Sequence, residues 1–205
     1  MKKILIILPL FFIMGTSHAQ ENKLLTAFTD SYAFETNLEY NKAAHLLEKV
    51  YLNYISNYEI NYRLGWLRYS AGDFKESENY YKKAMEIKPL SLEAIYGMIL
   101  PLISQQKYNS VIKLSEKALS IAPNDSRGEY FLGLAYYYKK NYTKSEKFLE
   151  KAINKYPFDL DINLMLGWTK FALGKKNEAK SLFLTAQRNS PYNHRVKTAL
   201  NLINK

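Results

Sequence analysis

Residues 129–157 read EYFLGLAYYYKKNYTKSEKFLEKAINKYP. In the first half Tyr130, Leu134 and Tyr137 recur at spacings of four and three, which places them on one face of a helix. Leu132 and Gly133 lie on a neighbouring stripe. Ser145, Leu149 and Ala152 then repeat the same period, and Pro157 ends it, because proline cannot extend the hydrogen-bond ladder of a helix. The stretch predicts two amphipathic helices joined by a short turn and stopped by a proline.

Working outward, the same unit recurs with a period of 34 residues. Pro89, Pro123, Pro157 and Pro191 hold this spacing, as do Ala84, Ala118, Ala152 and Ala186. Leu64, Leu132 and Leu166 keep the register, each followed by a glycine: Gly65, Gly133 and Gly167. The units are 58–91, 92–125, 126–159 and 160–193; one step back gives 24–57, where Tyr40, Ala43 and Leu47 align with Tyr142, Ser145 and Leu149. Residues 194–205 supply only a first helix, with Val196, Ala199, Leu200 and Ile203 on one side and polar residues on the other, as a solubilising terminal cap requires. A glycine inside a helix costs about 1 kcal/mol relative to alanine. Its return at each Leu-Gly predicts a close crossing, with Gly65 facing Ser77, Gly133 facing Ser145 and Gly167 facing Ala179.

Residues 129–157 and the matching YRLGWLRYSAGDFKESENYYKKAMEIKP, residues 62–89, resemble the tetratricopeptide repeat family, and the resemblance covers about 24–193. It implies an all-α fold, a right-handed α-α superhelix of helix-turn-helix repeats, with a concave groove lined by the first helix of each pair. It also implies a scaffold or adaptor rather than an enzyme. On this view the groove residues are Tyr62, Arg63, Trp66 and Tyr69; Tyr96 and Leu100; Tyr130, Leu134 and Tyr137; and Leu164, Trp168 and Phe171. The middle position, often polar in peptide-binding members, is here Tyr32, Trp66, Leu100, Leu134 and Trp168. Phe131 and Met165 likewise stand where those members often carry asparagine. Such a face suits an apolar peptide segment or an amphipathic helix, or, as the alternative function, an apolar small ligand or a glycan. Without groove asparagines, a clamp for a C-terminal carboxylate is not expected.

Two units depart from the pattern. In 92–125, Ile99 replaces the glycine, Val111 the small residue opposite, and Ser115 the large residue seen as Tyr81, Leu149 and Phe183. Two branched residues predict helices that separate or tilt, and Pro101 inside the first helix predicts a kink. In 24–57, Asp30 and Ser31 stand for Leu-Gly and Ile55 for the proline, as in an atypical terminal repeat.

The N-terminus reads as an address. Lys2 and Lys3 precede an apolar run from Ile4 to Met14, and Ser17 and Ala19 fit a small-residue cleavage site between Ala19 and Gln20. The domain organisation expected is a signal peptide, 1–19, and a repeat domain, 20–205. The run is short of the ~20 apolar residues of a membrane span. Export is therefore expected, most plainly to a bacterial periplasm, with a protein partner in an envelope assembly.

Composition supports this reading and excludes others. All 205 residues include no cysteine, so thiolate metal sites, iron–sulfur clusters and disulfides are excluded. The net charge of +10 falls to +8 if Lys2 and Lys3 leave with the leader. The lysines are interleaved with glutamates along the chain rather than gathered in the stripe a nucleic-acid reader needs, so no nucleic-acid partner is expected. Peripheral contact with anionic lipid stays open. His45 and His194 have no ligand neighbours at helical spacing, and no nucleotide loop or nucleophile elbow occurs, so no metal, cofactor or catalytic residues are expected.

Overall fold

The computed structural model describes residues 11–203, with side chains from Glu21 onward. Among the described residues there are eleven α-helices and no strand. They are α1 (Phe11–Thr36), α2 (Tyr40–Glu48), α3 (Tyr58–Ser70), α4 (Phe74–Ile87), α5 (Leu92–Ser104), α6 (Tyr108–Ile121), α7 (Ser126–Tyr138), α8 (Tyr142–Lys155), α9 (Leu160–Ala172), α10 (Lys176–Asn189) and α11 (His194–Ile203). A single 3-10 turn, Tyr51–Asn53, follows α2. The fold is the all-α superhelix of helix-turn-helix repeats, and the chain forms two compact units, up to Ile87 and from Lys88 onward. Residues 1–10 of the expected leader lie outside the described residues; the backbone of 11–19 belongs to α1, which passes through Ala19 and Gln20.

The repeat boundaries are helix caps. Asn57, Ser91, Asp125, Asp159 and Asn193 hold one register, and each accepts a hydrogen bond from a backbone N–H at the start of the following helix. This satisfies donors that the helix itself leaves unpaired. The turn inside each hairpin is equally periodic. Leu38, Gly72, Gln106, Lys140 and Gly174 all have positive φ, between 57° and 86°, which closes the first helix and starts the second. Only two of the five are glycine, the residue that adopts this conformation without strain.

Within α3–α4, Gly65 lies under the ring of Tyr81, and a Cβ on it would meet that ring at 2.8 Å. Gly133 stands in the same way against Leu149, and Gly167 against Phe183. The partner the glycine accommodates is thus the large residue one turn beyond the small one expected. Ser77 does face Gly65, but through its hydroxyl, which donates to the Gly65 carbonyl at 2.7 Å. Hairpin α5–α6 lacks the glycine. Ile99, Val111 and Ser115 are all fully buried, Ser115 in the register of Tyr81, Leu149 and Phe183, and α5 and α6 pack less extensively than the helices of the glycine pairs. Helix α5 runs through Pro101 to Ser104 as a single segment.

The first unit's core gathers Ala43, Ala44, Leu47, Ile60, Leu64 and Leu67. Helix α2 is shorter than the other second helices, and Tyr51 after it packs edge-on against Tyr80 at 5.3 Å. At the far end, Val196, Ala199 and Leu200 of α11 cover Phe183 and Ala186.

Candidate binding faces on the first helices

The twelve expected groove residues all sit on first helices, and none is fully exposed. Arg63, Tyr96, Leu134 and Leu164 are buried; the other eight are half-buried. Phe131 and Met165 are buried too, so they pack the interior and do not line a groove.

In the first unit Glu35 of α1 organises the face. It forms an ion pair with Arg63 and accepts a hydrogen bond from the Trp66 indole N–H at 3.0 Å. The Arg63 guanidinium also lies 3.7 Å from the centroid of Tyr32, whose side chain is 53% exposed. Arg63 is therefore committed inward, which removes it as a free anchor for a carboxylate. Trp66 contacts Tyr69 at 6.0 Å, and Tyr69 contacts Phe74 at 5.9 Å. Tyr62 stacks on Tyr58 and meets Tyr81 edge-on. What this face offers is largely ring surface, with the Arg63 charge paired and the Trp66 indole N–H engaged.

In the second unit the expected residues fall into three groups. Tyr96 donates its hydroxyl to Asp125 at 2.7 Å, and its ring lies against Phe131 and 5.1 Å from the Arg127 guanidinium. Burial, and then the hydrogen bond to the Asp125 carboxylate, push the Tyr96 phenol well above its ordinary range. Tyr130, Leu134 and Tyr137 surround one core with Met165 and Leu166. Burial likewise raises the Tyr130 and Tyr137 phenols. Leu164, Trp168 and Phe171 join the other core, with Trp168 at 4.9 Å from Phe183. Leu100 is half-buried on α5.

Several polar residues that the sequence reading passed over fasten one hairpin to the next. Arg68 hydrogen-bonds both oxygens of Glu48 at 2.6 Å and pairs with Asp73. Burial opposes the charge of Arg68, but the bonds to Glu48 outweigh it and raise its pKa. Lys170, only 7% exposed, pairs with Glu146, Glu150 and Glu178 at 2.6–2.8 Å. Burial alone would raise Glu146, yet the hydrogen bonds from Lys170 and Lys175 hold it below its ordinary value. Asn61 donates to the carbonyls of Ile55 and Asn57, and Asn163 to those of Pro157 and Asp159. A signal for several of these was present: Glu48, Asn61 and Arg68 each stand three repeat lengths before Glu150, Asn163 and Lys170.

Among the described residues, no group of histidine or acidic side chains is placed to hold a metal ion, and no helix is long and apolar enough to cross a membrane. Family models described as tetratricopeptide repeat match residues 58–91, 130–157 and 160–193. The chain belongs to the tetratricopeptide repeat family. The two divergent repeats, 24–57 and 92–125, lie outside the matched segments. No curated protein matches this tetratricopeptide repeat chain. Among solved structures it is similar to MamA 41-end from Desulfovibrio magneticus RS-1, at 20% identity and a TM-score of 0.72, with 84% of this chain and 97% of that one covered. It is also similar to a tetratricopeptide repeat protein from Parabacteroides merdae ATCC 43184, at 15% identity and a TM-score of 0.75, covering 89% of this chain and 72% of that one. A third is YrrB, a repeat protein with an unusual peptide-binding site, at 15% identity and a TM-score of 0.67, with 91% and 97% covered. At these identities the likeness is one of fold. Tetratricopeptide repeat proteins are scaffolds for protein–protein interaction and are typically not enzymes.

Proposed function

We propose that this chain is an exported, non-enzymatic scaffold that holds an apolar segment of a protein partner against the first helices of its repeats. The observation that carries the reading is the Glu35 lock: with Arg63 and the Trp66 indole N–H both turned to Glu35, the Arg63 charge is paired and half-buried ring surface remains at Trp66 and Tyr69. Half-buried Trp66 and Tyr69 in the first unit, and Leu100, Tyr137 and Trp168 in the second, still have surface to give to a ligand. Rings of this kind add contact area at low entropic cost. The peptide-binding site of YrrB, a protein of the same fold, is a precedent for such a role. Export rests on the leader, with cleavage after Ala19, and the envelope of a bacterium is the compartment it implies.

The test uses a photo-crosslinking residue at Tyr69 and, as a control, at Lys147 on the outer face of α8. Crosslinks to one protein from Tyr69 and none from Lys147 are expected. Trp66→Ala with Trp168→Ala should abolish that crosslink while far-UV circular dichroism stays helical. Undiminished capture by the double variant would sink the proposal. Sequencing the N-terminus of the protein recovered from cells tests export separately, with Gln20 as the expected first residue.

A further inference from the structure

We propose that the turns between repeats in the second unit form an edge that docks on an anionic lipid surface. These turns, 88–91, 122–125, 156–159 and 190–193, each join a second helix to the next first helix, so they share one end of the hairpins. The residue after each proline is Leu90, Asn124, Phe158 and Tyr192. Leu90 is 72% exposed, Phe158 70% and Tyr192 99%, and Tyr156 beside Phe158 is 57% exposed. A tyrosine left almost wholly in solvent contributes nothing to the core, and the three apolar tips repeat at the same place in the unit. They stand on turns and not on a helix face, so a rigid partner has little shape to match. A bilayer interface needs no shaped complement, and phenylalanine and tyrosine are residue types that settle at headgroup level.

Charge complementarity favours anionic headgroups over neutral ones. Lys151, Lys155 and Arg188 are exposed at the ends of α8 and α10, the helices that lead into the turns carrying the aromatic tips. Of the carboxylates at the same edge, Glu93, Asp159 and Asp161 are exposed, and most make contacts within the fold. Asp125 accepts from two backbone N–H groups and the Tyr96 hydroxyl, Asp159 caps α9, Asp161 pairs with Arg195, and Glu129 is buried. The exposed cations Lys88, Arg127, Lys151, Lys155, Arg188 and Arg195 outnumber these exposed carboxylates, so the sign facing outward is positive. Each lysine near an anionic membrane adds to the attraction, and the attraction is screened by salt. This edge is separate from the ring-lined faces of the first helices, so the inference stands or falls apart from the proposed function.

The experiment is co-sedimentation of the full chain with phosphatidylcholine vesicles, with and without phosphatidylglycerol. Binding is expected only with phosphatidylglycerol, and it should weaken as salt rises. Phe158→Ser with Tyr192→Ser should weaken it about tenfold, and Lys151→Glu with Lys155→Glu by at least that factor. All the proteins carry the same N-terminal segment, so the differences report on the edge. The substituted side chains are exposed, and unchanged thermal melting will show that the fold is intact. Equal binding by the wild type and both variants, or no binding to phosphatidylglycerol, overturns the inference. So does a shift from dimer to monomer on Phe158→Ser/Tyr192→Ser without vesicle binding, which would make the edge a contact between copies.

Discussion

In α7–α8 the first helix gives up a side chain at Gly133 and the second supplies Leu149; in α5–α6 the first supplies Ile99 and the second retreats to Ser115. The hairpins have helices of equal length, and the large and the small residue change sides at the same register. Interiors are packed to a fixed density, so a large residue on one side demands a small one on the other. The reversal goes with looser pairing: with Ile99 and Val111 both inside, α5 and α6 pack less extensively than the helices of the glycine hairpins. Which residue is large matters less than that only one is.

The comparison can be broken by transplanting half of it. Gly133→Ile alone would drive a branched side chain into Leu149, which already leaves no room for a Cβ. Overpacking of this kind should destabilise the protein by about 3 kcal/mol. Leu149→Ser alone would open a cavity, at a similar cost of about 3 kcal/mol. The pair Gly133→Ile/Leu149→Ser recreates the Ile99/Ser115 arrangement and should recover roughly half of the summed loss. Denaturant melts of the four proteins give the coupling directly; additive losses would show that volume exchange is not the rule.

The same contrast explains what was legible. The fold was written in the period, because Pro, Ala and Leu-Gly recur without insertion from 58 to 193. The choice of glycine partner was not. Spacing alone places Ser145 and Leu149 near Gly133, and only the angle of crossing selects Leu149. The groove was half legible. Its residues lie on the first helices as expected, but periodicity could not show that Arg63 turns back to Glu35, nor that Tyr96, Leu134 and Leu164 are consumed by packing. Exposure depends on neighbouring helices, which a single repeat does not contain. The buried ion pairs were missed because lysine and glutamate at helical spacing are usually solvated. The clue lay in the recurrence of Glu48 with Arg68 as Glu150 with Lys170.

A smaller effect sharpens the comparison at the entrance of these hairpins. Asn61 and Asn163 tie α3 and α9 to the turn before each; the same register holds Ile95 in α5 and Glu129 in α7. Glu129 is 3% exposed and has an oxygen with no hydrogen-bond partner, and burial raises its pKa. A carboxyl raised in the folded state stabilises the fold only while protonated, so this contribution is lost as pH rises through the folded value. Glu129→Asn removes that liability and places an amide near the carbonyls of Pro123 and Asp125. It should stabilise the protein by about 1 kcal/mol at pH 7, and the gain should shrink below about pH 4, where the free glutamate itself is protonated. Thermal melts at both pH values check this; an equal gain at both would remove the charge from the explanation.

The smallest expected effect separates two serines that exposure alone cannot tell apart. Ser115 and Ser145 are both fully buried in second helices. The Ser145 hydroxyl shares a hydrogen bond of 3.0 Å with Thr169 on α9, which ties one hairpin to the next. The Ser115 hydroxyl has no partner among the described residues. A buried hydroxyl without a partner retains its desolvation cost, whereas one with a partner largely recovers it. Substitution by alanine should therefore act in opposite directions: Ser115→Ala should stabilise by about 0.5 kcal/mol and Ser145→Ala should destabilise by about 1 kcal/mol. If both are destabilising by the same amount, the hydroxyl of Ser115 is satisfied in solution. The exchange of Leu149 for Ser115 would then have cost the α5–α6 hairpin volume alone, with no added polar penalty.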